Sequence, residues 1–371
     1  MKNLVIILSF LFASVTSIFA ALDVEVKSYS IVATFWPDSS MMMGSAAVEF
    51  KNNFYEETVV FYLHDELDID SISYKGRSVS FKQTTVAYRY NYSLQATKVS
   101  MPIREYAGGE LNISYSGRFS PSKARSTSDY MRITPRDGVL LRAYGYSLWF
   151  PVYTDDSGES YKADFELVRI ITPVAYHSVF VGDKWDDAYS DYLYFSDWKA
   201  FDVDIFDVQC TARKYNFMIS KGLAIYFLAD KESASQAFNI LKFSDTILKY
   251  YKKTFKRERN TSQLFYVLEM PMYGDISSLN IVGLSSEAWF NFDTKDLGKI
   301  TLAHKFVHPF IWVETSKTDP IYTLVKEGFP SYFYLPALEN QWGEEWYRRH
   351  IKKVEESYRY KKETSRKCCR Y

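Results

Sequence analysis

Two histidines lie four residues apart in the stretch TLAHKFVHPF, residues 301–310. On a helix this spacing puts two side chains on the same side, so the imidazoles of His304 and His308 can share one metal ion. Alone the pair is weak evidence, because a core or capping pair of histidines explains the same spacing. Glu327 follows nineteen residues after His308, in LVKEGFPSY. Two histidines and a glutamate form a known catalytic zinc set, with the fourth position left for water. The alternative is a polar cluster that is hydrogen-bonded without metal.

The second half of the chain contains the elements that would position these residues. Apolar residues at helical spacing predict a long helix over residues 230–255. A buried strand is predicted in SQLFYVLEMP, and the two histidines are expected on a helix over 297–312. A further helix opens at TDPIYTLVKEGF, with Asp319 as its cap and Pro320 in its first turn. A charged amphipathic helix follows from Trp342.

The first half of the chain is predicted to consist of strands. The segments SAAVEF, ELNISYSG, DFELVRII and RKYNFMIS alternate or run apolar, and turn signals such as PDSS and DDSGES separate them. We therefore expect an all-β, sandwich-like domain over residues 21–217 and a second domain over 218–371. A length of 371 residues also favours two domains over one core.

The N-terminal residues 1–20 read as a secretory signal peptide, with Lys2 before an apolar run and cleavage after Ala20 or Ala21. An uncleaved anchor is the alternative. The mature chain is thus expected to be exported, with no transmembrane helix after signal removal.

Lys and Arg together equal Asp and Glu at 45 each, which argues against a nucleic-acid partner. With only three cysteines, a disulfide framework does not organise the fold.

Nearly the whole mature chain resembles the M1 aminopeptidases, a gluzincin family, at modest similarity. The His-x-x-x-His pair, eighteen residues and then Glu within EGFxSY are similar to the family's His-Glu-x-x-His and NEGFAxY. The stretches at 29–52, 106–120 and 148–156 resemble landmarks of its N-terminal domain. The resemblance implies a multidomain α+β fold: an all-β saddle-like sandwich domain, then a thermolysin-like α/β metallopeptidase domain that is C-terminally truncated. It also implies His304, His308 and Glu327 as zinc ligands.

The chain departs from the family pattern at the residues that do the chemistry. Lys305 stands at the position of the general base, and a charged lysine can neither accept a proton nor favour a nearby dication. Leu279 stands where a glutamate grips the substrate's free α-amine. Asn280 aligns with the family's asparagine and is the expected substrate-binding residue. Pro309 and Pro330 are expected to kink the site helices, although Pro309 can instead mark an early helix end beside His308.

These departures favour a catalytically impaired or inactive homologue, a pseudopeptidase that binds a peptide or protein in the cleft between the two domains. An active exported zinc aminopeptidase acting on peptide N-termini is the first alternative. A secreted β-rich binding module without metal is the second, and a non-functional truncated copy is also left open. The sequence does not indicate an oligomeric state.

Overall fold

The computed structural model describes residues 24–52, 58–87, 95–102, 108–119, 131–136, 138–141, 148–153, 161–228, 231–255, 264–270, 276–278, 280–310, 324, 328–353 and 356. The predicted signal peptide, Leu279, Glu327 and the helix start at Asp319 lie outside these residues. Among the described residues, no helix combines the length and the apolar character needed to cross a membrane.

Strands dominate the described part of the chain up to residue 213. In chain order these strands are β1 (Val24–Trp36), β2 (Met41–Asn52), β3 (Thr58–His64), β4 (Leu67–Tyr74), β5 (Arg77–Ser78), β6 (Lys82–Ala87), β7 (Gln95–Pro102), β8 (Gly108–Arg118), β9 (Met131–Thr134), β10 (Gly138–Leu141), β11 (Val152–Tyr153), β12 (Lys162–Pro173), β13 (His177–Phe180), β14 (Asp183–Tyr189), β15 (Leu193–Asp204) and β16 (Cys210–Arg213). Short 3-10 turns lie at Pro37–Ser39 and Ile205–Asp207.

These strands form three sheets. The largest has eight strands in the order β14-β15-β12-β1-β2-β8-β4-β5, and two four-stranded sheets have the orders β13-β16-β10-β9 and β11-β3-β7-β6. β1 shows why the sequence forms such sheets: Tyr29, Ile31, Ala33 and Phe35 are fully buried at two-residue spacing, as a strand with one face on the core requires. The β-rich first half predicted from the sequence is confirmed.

The fourth sheet begins at residue 215 and carries helices. Its strands are β17 (Tyr215–Ser220), β18 (Leu223–Leu228), β19 (Phe265–Met270), β20 (Ile276–Ser278) and β21 (Ile281–Ser285), in the order β17-β18-β19-β21-β20. The helices are α1 (Lys231–Phe255), α2 (Ser286–Phe290), α3 (Asp296–Val307), α4 (Phe329–Trp342) and α5 over 344–353. The fourth sheet starts three residues before residue 218, where the second domain is expected to begin. The domain boundary at 217/218 stays a prediction.

The fourth sheet is covered on both faces, which explains the continuous apolar run of β19. Tyr266 and Leu268 belong to the hydrophobic core that the first three sheets share. Phe265 and Val267, which alternate with them, belong to a second core with the helices. A strand buried on both faces carries apolar residues at every position rather than at alternate ones. The long helix and the buried strand predicted from the sequence are therefore both confirmed.

Candidate functional site

Helix α3 carries the two histidines along one side. Its Leu302, Ala303, Phe306 and Val307 are buried in the second core, whereas His304 and Lys305 are half-buried. Helix α3 stops at Val307, so the expected end at 312 is wrong and the alternative of an early end beside His308 is confirmed. Pro309 has no N–H to continue the helical bonding, and a 3-10 turn at His308–Phe310 follows.

His308 keeps helical geometry although it is the cap residue of α3. Its φ and ψ are −52° and −46°, and its N–H donates to the carbonyl of Lys305. The four-residue relationship to His304 therefore survives the early helix end. Pro330 also differs from expectation: it lies in the first turn of α4, where a missing N–H costs nothing, and not at an interior kink.

The two imidazoles converge through their Nε2 atoms. These atoms lie 3.2 Å apart, and the rings meet at 71° with centroids 5.0 Å apart. Two nitrogen ligands of one tetrahedral zinc ion, each about 2.0–2.1 Å from it, lie about 3.3–3.4 Å from each other. The pair thus fits two positions of a zinc site. The same distance fits a hydrogen bond from one ring N–H to the other ring, so the metal-free cluster expected as an alternative has the same geometry.

The third predicted ligand, Glu327, lies outside the described residues, so the complete triad stays a prediction. Within the part of the chain that the structure describes, no group of three or more His, Cys, Asp and Glu side chains is arranged to hold a metal ion. The described residues supply the two converging Nε2 atoms of His304 and His308. A carboxylate from position 327 would complete the predicted set of three zinc ligands.

An aromatic side chain from α4 packs against the histidine pair. The Tyr334 ring lies 5.7 Å from that of His304 at an interplanar angle of 69°. The Tyr334 hydroxyl lies 3.2 Å from Nε2 of His350 on α5. Burial raises the pKa of Tyr334. Burial lowers the pKa of His350, with Asp296 opposing the shift and Lys353 adding to it. Both shifts favour the neutral forms of the two groups, and the tautomer of His350 sets which of them donates the proton of this hydrogen bond.

Sequence reasoning missed Tyr334 and His350. Their contact crosses the break between α4 and α5 at Gly343, whose φ is +85°, and residue spacing does not encode the angle between two helices. The available signal was weak: His350 is one of only five histidines, and it lies four residues after Trp346.

Asn280, the expected substrate-binding residue, is 1% exposed. Its Nδ2 donates to the carbonyls of Gly182 at 2.7 Å and Leu264 at 2.8 Å, and its Oδ1 accepts from the Gly182 N–H at 3.1 Å. The amide thus has a structural function in joining the fourth sheet to the first half of the chain. Contact with a substrate stays a prediction, as does the consequence of Leu279 at the amine-anchor position.

A buried carboxylate on β19 was also missed by sequence reasoning. Glu269 is 1% exposed, and its Oε2 accepts from the N–H of Leu228 at 2.8 Å. Its carbonyl accepts from Arg213 at 3.2 Å and from the hydroxyl of Tyr215 at 3.0 Å. These bonds join β16, β17, β18 and β19, so the residue organises the inner layer between the sheets.

Comparison with solved structures relates this architecture to a known hydrolase. The structure of native yeast LTA4 hydrolase superposes with a TM-score of 0.63 at 14% sequence identity, covering 87% of this chain and 49% of that one. The fold is therefore M1-like, and the chain spans about half the length of that protein. No protein-family model matches the chain, and a search of curated proteins gives no match.

Proposed function

We propose that this chain is an exported M1-type metallopeptidase homologue with impaired or absent catalysis, which binds a peptide or protein segment beside the histidine pair. The convergence of His304 and His308, with Nε2 atoms 3.2 Å apart, carries the proposal. The M1-like fold supports it, because the pair lies on a helix packed beneath a sheet in a fold shared with LTA4 hydrolase. The thermolysin-like character of the second domain is part of the proposal.

The position of β20 supports peptide binding. This strand is the last of the fourth sheet, and it lies against α3 and the His308–Phe310 turn. An extended peptide can pair with a strand at a sheet edge, where main-chain hydrogen bonds supply affinity. A segment added beside β20 would thus run past the two imidazoles.

In this proposal His304 and His308 hold zinc through their Nε2 atoms, and Glu327 supplies a carboxylate oxygen. When bound, zinc in such sites activates water and polarises a carbonyl. Lys305 follows His304 directly and is half-buried. A protonated lysine there cannot take a proton from the attacking water, and the loss of a general base costs about 10²–10⁴-fold in rate. Its positive charge also disfavours the metal.

The proposed ligand is a peptide segment without a tightly held N-terminus. Leu279 offers an apolar side chain at the position where the M1 pattern has a carboxylate, and an apolar group cannot balance an ammonium. We propose that a bound peptide passes close to Asn280. The Asn280 amide itself donates to the carbonyls of Gly182 and Leu264.

Metal analysis of the purified chain, combined with an amino-acid anilide assay, tests the proposal. We expect wild-type protein to bind up to one zinc, His304→Ala and His308→Ala to lose it, and His177→Ala, on β13, to retain it. We expect little or no turnover. Turnover that a chelator abolishes would overturn the inactive assignment, and equal zinc content in all four proteins would overturn the metal site.

A further inference from the structure

A closed series of side-chain contacts links both ends of α3 to the last two helices. Asp296, the first residue of α3, accepts a hydrogen bond from the indole N–H of Trp346 at 3.1 Å. The ring of Trp346 stacks on His350 at 4.9 Å and 12°. His350 bonds the Tyr334 hydroxyl at 3.2 Å, and the Tyr334 ring packs against His304 near the other end of α3.

Each step of this series limits the freedom of the next side chain. The indole of Trp346 is fixed by its bond to Asp296, and its stacked contact fixes the plane of His350. The bond from the Tyr334 hydroxyl then fixes how far the phenol extends. Because the phenol meets His304 edge to face, it restricts the rotation of that imidazole. The approach of the two Nε2 atoms requires such a restriction, since an unrestrained imidazole rotates away from a fixed angle.

We propose that Tyr334 is a positioning residue for the metal site, and that His350 on α5 holds it in place. The inference rests on the proposed function, because it concerns the zinc site formed by His304 and His308. It assigns a role to a helix that carries none of the predicted ligands. Metal affinity then depends on the docking of α5, although His350 lies 46 residues after His304 in the chain.

A purely structural role for Tyr334 would act on stability and leave the metal site unchanged. Tyr334 is a half-buried residue beside the second core, so its removal is expected to lower stability in either case. Measurements of metal affinity and of coordination geometry distinguish a positioning role from a purely structural one, because only the positioning role changes them. Residues outside the ligand shell that orient a metal-binding histidine typically change metal affinity by about 10–100-fold when they are replaced.

Titration with Co²⁺, followed by its visible absorption, tests the inference on the full chain. Tyr334→Leu removes the phenol, and Tyr334→Phe removes only the bond to His350. We expect about 10–100-fold weaker Co²⁺ binding for Tyr334→Leu. For Tyr334→Phe and His350→Gln we expect a smaller loss and an altered visible spectrum. Tyr332→Leu is the matched control, since Tyr332 lies on the same helix and is 60% exposed; we expect it to bind as wild type does.

The outcomes distinguish this inference from the proposed function. If Tyr334→Phe and His350→Gln fold and bind Co²⁺ with wild-type affinity and spectrum, the positioning role is overturned while the metal site stands. If wild type binds no Co²⁺, or if His304→Ala binds it equally well, the metal site and the positioning role are overturned together. The two conservative variants keep the test valid if Tyr334→Leu does not fold.

Discussion

The side chain of Asn280 and the backbone of Gly182 bond each other in both directions. Nδ2 donates to the Gly182 carbonyl at 2.7 Å, and the Gly182 N–H donates to Oδ1 at 3.1 Å. Gly182 lies between β13 and β14, and Asn280 immediately precedes β21. A carboxamide presents a donor and an acceptor side by side, which matches the backbone acceptor and donor of a single residue. The pair therefore fastens the fourth sheet to the first half of the chain.

Replacement of Asn280 by Ala is expected to lower the free energy of unfolding by about 2–4 kcal/mol, because it leaves the buried N–H and carbonyl of Gly182 without these partners. Urea denaturation followed by circular dichroism measures the change. Asn112→Ala is the control, since the Asn112 amide is exposed and donates to the exposed side chain of Glu110 on its own strand. We expect that control to stay within about 0.5 kcal/mol of wild type. Equal effects of the two substitutions would contradict the fastening role.

A methyl group at Gly182 is expected to destabilise the protein more than its backbone angle alone predicts. Its φ is +109°, and an added Cβ would collide with the carbonyl oxygen of Lys199. Gly222, with φ +84°, has open space around its Cα. Gly222→Ala should therefore cost only the backbone strain, about 1–2 kcal/mol, whereas Gly182→Ala should exceed it by about 2 kcal/mol or more. Thermal unfolding of the two variants provides the comparison, and similar melting temperatures would show that the β13–β14 connection yields to the methyl group.

Substitution of Lys305 by Glu is expected to raise zinc affinity about 10–100-fold, which corresponds to about 1.4–2.8 kcal/mol. A carboxylate beside His304 attracts the dication that an ammonium repels. Competition with a chromogenic chelator measures the affinity. Lys253→Glu on α1 makes the same change in net charge at an exposed position outside α3, so it should leave the affinity unchanged. Equal zinc affinities of wild type and Lys305→Glu would contradict the repulsion between Lys305 and the metal ion. Weak anilide hydrolysis that only Lys305→Glu gains would support position 305 as the place of the general base.

The periodicity of apolar residues predicted those helices and strands whose residue pattern fits only one type of secondary structure. The helical spacing of Ala237, Ile240 and Ile247 located α1, and the unbroken apolar run of FYVLEM located β19. The end of α3 was placed too late, because apolar residues continue past Pro309 and the periodicity outlasts the helix. The boundary at 217/218 stays a prediction, since β17 has the same strand character as the segments before it.

The candidate site could be predicted only where it depends on neighbours along one helix. The spacing of His304 and His308 encodes their convergence, because four residues make slightly more than one helical turn. The Tyr334–His350 bond depends on how α4 and α5 meet at Gly343, and the Asn280–Gly182 bonds join residues 98 apart. Contacts of this kind arise from tertiary packing, which a single sequence does not specify residue by residue.

His177 is expected to make stability fall as the pH is lowered. Burial lowers its pKa below the ordinary value of 6.5, and the nearby Lys184 adds to this shift while Asp187 opposes it. Its ring packs among aromatic rings, with Tyr194 at 5.1 Å and Phe217 at 5.6 Å. Because the folded pKa is lower, the unfolded chain binds the proton more readily. The stability associated with neutral His177 is therefore complete above pH 6.5 and is lost as the pH falls from 6.5 through the folded pKa.

Denaturation at pH 7.5, 6.5 and 5.5 measures this contribution. We expect wild type to lose stability across this window and His177→Gln to lose less, because glutamine does not titrate. The readout is the pH slope and not the absolute stability, since the loss of ring contacts with Tyr194 and Phe217 also lowers the starting value. His350→Gln is the comparison: His350 likewise has a lowered pKa, so its removal should also flatten the slope, and the double variant should flatten it further. If the slopes of wild type and His177→Gln coincide, His177 is protonated equally in the folded and unfolded chains, and the aromatic enclosure does not exclude its charge.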